Sequence, residues 1–202
     1  MVNKLSETRL SIVISGWPAV GKTTLAIELA KEFNLISYSG GDILKMLAAT
    51  KGYSTSEDDW WDTKEAKRFM QERKSDPSFD SQVDNKLIKI IKSENSVITS
   101  YTLPWLVEGN GIIKFWLKGS QENRALRMAS RDNISYGEAK KVIQTRDEEN
   151  KNIYKNLYSF NFGEDLKVFD FFLNTDILSL PSLIEVSKSI IKWLQVGQLP
   201  LR

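Results

Sequence analysis

Short apolar runs alternate along the chain with amphipathic stretches of helical period. Residues 10–14 (LSIVI) form an apolar, β-branched run that reads as a buried strand. Past a glycine-containing gap, Leu25, Leu29 and Phe33 recur as one face of a helix. Residues 35–38 predict a second strand, and Ser39-Gly40-Gly41-Asp42 is a turn that opens a helix over 43–49. Ser56 is an N-cap candidate for a helix running to about residue 74, which Asp76-Pro77 breaks. The next helix, 78–92, carries Val83, Leu87, Ile88 and Ile91 on its apolar side. Residues 96–99 and 112–117 are the third and fourth strands, and 121–130 is helical. Asn133-Ile134-Ser135 interrupts that helix, with Ser135 capping a long charged helix to about residue 158. Residues 168–173 read as a fifth strand and 183–193 as a final helix. Five short strands alternating with helices predict an α/β fold, a doubly wound five-stranded parallel sheet whose ligands sit at the carboxyl ends of the strands.

The gap after the first strand is Gly16-Trp17-Pro18-Ala19-Val20-Gly21-Lys22-Thr23, which fits G-x-x-x-x-G-K-[ST], the phosphate-binding loop of P-loop NTPases. Strand, glycine loop and helix together are the context this pattern requires. Gly16 and Gly21 allow backbone angles that a side chain opposes, so successive N–H groups can form an anion nest at the positive end of the following helix. The predicted nucleotide contacts are therefore Gly16, Trp17, Pro18, Ala19, Val20, Gly21, Lys22, Thr23 and Thr24. Lys22 supplies a mobile charge for the β- and γ-phosphates, and the Thr23 hydroxyl is a ligand for Mg²⁺. The competing reading is a plain strand-to-helix turn that opens on a lysine.

Composition narrows the chemistry. A chain of 202 residues suits one α/β domain, and its 41% hydrophobic content is enough for a core. A net charge of +2, from 28 basic and 26 acidic residues, gives no overall reason to expect nucleic acid or membrane as a partner. Without cysteine there is neither a disulfide nor a thiolate metal site; without histidine, any general base is a carboxylate, a lysine, a tyrosine or water. No apolar run approaches the ~20 residues of a membrane span. The polar residues 1–9 lack a signal-peptide core, so a cytoplasmic location is expected.

In the order of its motifs the chain resembles the nucleoside monophosphate kinases, most closely the cytidylate kinase-like branch found in archaea. The resemblance rests on the phosphate loop, on Ser39-Gly40-Gly41-Asp42-Ile43-Leu44-Lys45, on Asp76-Pro77 with Asp80 and Asp84, and on the arginine-bearing stretch 124–154. It implies a single P-loop kinase domain over 1–202, with a helical acceptor-binding arm at about 47–87 and a lid at about 127–154. It also implies transfer of the γ-phosphoryl group of ATP to a nucleoside monophosphate with Mg²⁺, small-molecule nucleotides as partners, and a monomer or weak homodimer. CMP is the expected acceptor, with relaxed selectivity toward UMP. A kinase of another small metabolite and a nucleotide-binding regulator with little turnover are the alternatives.

Residue by residue, the resemblance assigns Arg127, Arg131 and Arg146, with Lys22, to the transferring phosphoryl group. Arg127 and Arg131 share a helix face at i, i+4, and Arg124 near them reads as part of a solvated helix face. A solvated helix face paired with Asp147, Glu148 and Glu149 is the competing reading of this set. Ser39, Asp42, Lys45, Tyr101 and Arg146 are the expected acceptor contacts. Asp42, after the second strand, either holds Mg²⁺ through its water shell or caps the next helix. In the arm, Tyr53, Asp58, Asp59, Trp60 and Trp61 are candidates to contact a base, although adjacent tryptophans on a helix point about 100° apart, so one belongs to the core. Asp80 and Asp84 are candidates for the same cleft, with at least one expected to face solvent. The chain departs from the family at several positions. Lys45 stands where an arginine is usual, and Thr99-Ser100-Tyr101 replaces an acid, a glycine and an arginine. Asn150 and Ile153 replace an aspartate and an arginine.

Overall fold

β1 (Ser11–Gly16) is fully buried and lies at the centre of a five-stranded parallel sheet. The structure is a computed structural model that describes residues 9–55, 60, 63–76 and 78–196. The strand order is β2-β3-β1-β4-β5, with β2 (Ile36–Ser39), β3 (Ser96–Thr99), β4 (Ile112–Lys118) and β5 (Phe171–Asn174). Alternation along β1 feeds two cores. Ile12 and Ile14 pack with Leu25 and Leu29 of α1 (Lys22–Glu32) and with Leu183 and Ile191 of α8 (Leu180–Val196). Val13 packs on the opposite face against α2 (Gly40–Thr50), α4 (Ser78–Ser93) and the single turn α5 (Leu103–Leu106). Burial on both faces explains why the strands read as near-continuous apolar runs.

Two further elements rise beyond the carboxyl edge of the sheet. α6 (Gln121–Asp132) and α7 (Tyr136–Tyr158) meet through Ala125, Met128, Ala139 and Ile143. The break between them is where the sequence puts it. Asn133 ends α6 in the left-handed region at φ 52°, and Ser135 opens α7 in a capping box with Glu138. An aromatic cluster of Trp116, Tyr154, Phe160, Phe162 and Phe169, joined by Trp17, Tyr101 and Trp105, fills the space below α7.

Several boundaries differ from expectation. The fifth strand starts at Phe171, because Phe169 is buried in the aromatic cluster and Asp170 turns its carboxylate to the Lys114 N–H at 2.8 Å. Apolar residues there serve packing before pairing begins. α3 (Lys64–Ser75) is capped by Thr63, whose hydroxyl accepts from the Ala66 N–H. Ser56, Asp58, Asp59, Trp61 and Pro77 lie outside the described residues. Trp60 is core, 1% exposed beside Phe69. Neither Asp80 nor Asp84 points to solvent, as the next section details. No helix among the described residues is long and apolar enough to cross a membrane.

Candidate active site

The loop from β1 to α1 is shaped by three residues at positive φ: Gly16 (143°), Ala19 (61°) and Gly21 (90°). At Gly16 the constraint is steric as well, since a Cβ would sit 2.2 Å from the Leu117 carbonyl oxygen of β4. Gly21 starts α1 in the left-handed region without a side-chain cap, leaving the first N–H groups of the helix for a ligand. Trp17 anchors the loop from below. Its ring meets Phe162 edge-on at 4.8 Å, and a Cβ on Gly163 would reach 2.2 Å from Trp17 Cζ2. The side chain of Trp17 thus belongs to the core.

Lys22 Nζ donates to the carbonyls of Gly16 (2.8 Å) and Trp17 (2.7 Å) and stands 4.7 Å from the Tyr101 ring centroid. Desolvation, with Arg146 and Arg124 nearby, lowers its pKa to about 7. Residues 18–24 form the floor of a cavity of about 620 Å³, and Tyr101, Arg127, Arg131, Arg146, Thr175, Leu178, Leu180 and Leu183 form its walls. The cations singled out in the sequence therefore converge, from α1, α6 and α7, on one space.

Each arginine is held differently. Arg127 donates to the hydroxyl of Thr175 at 2.9 Å and to the Thr175 carbonyl. Arg131 is exposed and pairs with its neighbour Asp132 at 2.6 Å, a solvated contact that a ligand can replace cheaply. Arg146, also exposed, hydrogen-bonds Tyr101, whose burial pushes the phenol pKa up. Arg124, expected on a solvated helix face, is buried instead and is the structural member. It is 2% exposed, paired through both terminal nitrogens with Asp147 (2.9 and 2.6 Å), and its Nε donates to the Gly119 carbonyl at 3.1 Å. Asp147 is thus a buried partner of Arg124 rather than part of a solvated face.

The turn after β2 lies elsewhere. Ser39 and Asp42 form a capping box for α2, Ser39 Oγ accepting from the Asp42 N–H at 3.0 Å and the Asp42 carboxylate accepting from the Ser39 N–H at 3.0 Å. Of the two readings of Asp42, the cap is the one present. β2 is two strands from β1, on the order of 10 Å. Ser39, Asp42 and Lys45 do not line the cavity around Lys22. Thr23 does, and it is exposed at the start of α1. Among the described residues no three carboxylates gather as a metal site. The donor set fits Mg²⁺ all the same, because that ion keeps several waters and needs only the Thr23 hydroxyl beside phosphate oxygens.

Some participants escaped the sequence reading. Thr175 follows β5 directly, and the rule that ligands collect at the carboxyl ends of strands marks it. The next residue, Asp176, accepts from the Ser120 N–H at 3.0 and 2.8 Å and from Asn123 Nδ2 at 2.9 Å, clipping this loop to the start of α6. Arg73 and Asp80 form a bidentate pair between α3 and α4, with Nη2 to Oδ1 at 2.6 Å. Asp84 is 4% exposed and accepts from the hydroxyls of Thr102 and Tyr158. Nothing in the polar sequence of α3 singled out Arg73 among its basic residues.

An anion nest at the end of a central strand, a lysine inside it and arginines closing over it from a helical hairpin define a P-loop phosphotransferase. The comparisons with known proteins narrow this. A model of the cytidylate kinase-like family matches residues 11–177. A cytidylate kinase of Pyrobaculum islandicum is 35% identical over 176 residues, spanning 87% of this chain and 89% of its own. Among solved structures, an uncharacterized protein of Eubacterium ventriosum aligns with a TM-score of 0.63 at 17% identity, covering 93% of this chain and 99% of that one. A shikimate kinase of Bacteroides thetaiotaomicron aligns with a TM-score of 0.54 at 17% identity, covering 94% and 99%. These structures share the fold. The chain belongs to the cytidylate kinase-like family and is a nucleoside monophosphate kinase with ATP as its phosphoryl donor.

Proposed function

We propose that the chain transfers the γ-phosphoryl group of ATP to CMP. The observation that carries this reading is the convergence of Lys22, Arg127, Arg131 and Arg146 on one cavity floored by the phosphate loop and walled by Tyr101. Phosphoryl transfer needs positioning and positive charge rather than a covalent catalyst, which suits a site with no histidine or cysteine. The loop from Gly16 to Thr24 holds the triphosphate; Lys22 leaves its carbonyl partners and follows the β- and γ-phosphates. The wall of Arg127, Thr175, Leu178 and Leu180 takes the donor base, with Arg127 flat against it. Arg131 and Arg146, already solvated or paired only weakly, turn onto the migrating phosphoryl group as the lid at about 127–154 closes. The Thr23 hydroxyl would hold Mg²⁺ beside the phosphates, where the ion would offset their charge. Asp42 remains the cap of α2. The arm at about 47–87 brings in the acceptor, with Lys45 and Arg146 on its phosphate and Tyr101 against its sugar or base.

Melting temperatures test the acceptor. With a non-hydrolysable ATP analogue and Mg²⁺ present, CMP at 100 times its Kd should add about 2.7 kcal/mol of stability. AMP and GMP at the same concentration should add far less. A purine monophosphate that stabilises more than CMP contradicts the proposal.

A further inference from the structure

The main chain around Tyr101 is fastened on both flanks. On one, the Ser100 N–H donates to the Ile14 carbonyl of β1 at 3.2 Å, and Ser15 Oγ donates to the Tyr101 carbonyl at 3.4 Å. On the other, Ser100 Oγ accepts from the N–H groups of Thr102 and Leu103 at 3.2 and 3.1 Å, and the Thr102 hydroxyl donates to the buried carboxylate of Asp84. The half-buried ring stacks on Tyr154 with centroids 6.1 Å apart and meets Phe162 edge-on at 5.7 Å, with the Lys22 ammonium 4.7 Å from its centre. The phenol oxygen is thus a fixed point on the wall of the cavity, and it accepts from Arg146 of α7. Arg146 in turn acts electrostatically on Lys22 of the phosphate loop and on Asp132, the partner of Arg131.

We propose that Tyr101 is a positioning residue for phosphoryl transfer, its hydroxyl aiming Arg146 at the phosphate loop without neutralising it. This rests on the phosphoryl-transfer reading of the cavity and goes beyond it, giving the hydroxyl a task apart from any contact with the acceptor. The neighbouring arginines are held by carboxylates: Arg73 by Asp80, Arg124 by Asp147 and Arg131 by Asp132. A carboxylate fixes a guanidinium but offsets its charge, and a phosphate must compete with it. A phenol fixes the same group and leaves the charge whole. Burial pushes the Tyr101 pKa up, so the phenol stays neutral. One of the five N–H donors of a guanidinium meets the phenol oxygen, and those that remain can still grip two phosphoryl oxygens side by side. A single hydrogen bond also lets the guanidinium pivot as the lid closes. Without it, an exposed arginine must give up its rotamer freedom at the moment of reaction. A donor aimed in advance needs no such reorganisation.

The test is a double-mutant cycle over Tyr101→Phe, Arg146→Ala and the double variant, reading kcat and both KM values. The acceptor is whichever of CMP, UMP, dCMP, AMP and GMP the wild-type chain turns over fastest, and rates are normalised to sites titrated with a non-hydrolysable ATP analogue. Tyr101→Phe keeps the ring on Tyr154 and Phe162 and removes only the hydroxyl. It should lower kcat about tenfold, the scale of one hydrogen bond to a charged group, with both KM values near wild type. Arg146→Ala should lower kcat by about 10²-fold. Adding Tyr101→Phe to it should lower kcat no further, because the hydroxyl then has nothing to aim. Losses that multiply in the double variant overturn the proposal. So does a Tyr101→Phe chain that keeps wild-type kcat, whether or not its acceptor KM rises. Fastest turnover of a purine monophosphate overturns the CMP reading alone, since the cycle does not depend on the acceptor's base. Turnover of none of the five overturns both.

Discussion

Lys22 carries the sharpest consequences at the scale of single residues. In the nucleotide-free protein its pKa is about 7, lowered from 10.5 chiefly by desolvation. A triphosphate restores the charge, so above pH 7 ATP binding should take up a proton. Its Kd should rise by up to about tenfold per pH unit above 7 and level off below it. Titration calorimetry at pH 8 in buffers of different ionisation enthalpy should show an uptake approaching one proton; no uptake contradicts the assignment. The stability effect has a definite sign. The folded pKa lies below the unfolded one, so Lys22 destabilises the free protein fully below about pH 7, and the penalty fades as pH rises toward 10.5. Lys22→Ala should lower kcat by at least about 10²-fold while the chain stays folded, the scale of losing one charge contact to the transition state. Among the arginines, Arg131→Ala should lower kcat more than ATP affinity, and Arg127→Ala, which also gives up its bonds to Thr175, should chiefly raise the KM for ATP. Equal effects of the two on both constants would remove the distinction between them.

At the scale of elements, the buried Arg124–Asp147 pair joins α6 to α7, with side chains 3% and 8% exposed. Asp147→Ala leaves a buried guanidinium uncompensated, which costs about 3–5 kcal/mol. At ~2–4 °C per kcal/mol for a chain of this size, Tm should fall by roughly 6–20 °C; a fall under ~2 °C would mean that the pair is solvated in solution. The elements that could be read from the sequence are those set by local chemistry. The Ser135 cap, the phosphate loop and the apolar strands β1, β3 and β4 each depend on neighbours a few residues away. What escaped depends on distant partners. Phe169 looks like a strand residue until Trp105 packs on it at 5.0 Å, and Arg73 looks like any surface arginine until α4 brings Asp80 beside it. Asp84 and Tyr158 are 74 residues apart along the chain and meet only because α4 and α7 flank the same cleft. Asp42 shows the opposite limit: its cap with Ser39 is local and legible in the sequence, whereas a role toward Mg²⁺ depends on a bound ligand.

At the scale of the whole molecule, the strand order sets the phosphate loop at the middle of the sheet's carboxyl edge, with different elements to either side. β4, β5 and the α6–α7 hairpin bring Arg127, Arg131, Arg146 and Thr175 to one side, around the cavity floored by the phosphate loop. The loop after β3, which carries Tyr101, and the helices α3 and α4, with the Arg73–Asp80 pair and Asp84, lie to the other. In the proposed function, donor and acceptor meet over Lys22, the group between the two sets. The direct test is the initial rate of ADP formation from ATP and Mg²⁺ with CMP, UMP, dCMP, AMP and GMP in turn, with Lys22→Ala as the control. Fastest turnover with CMP, with CDP formed in equal amount and lost in the control, is the expected result. Preference for a purine monophosphate, or no turnover with any of the five, would contradict it.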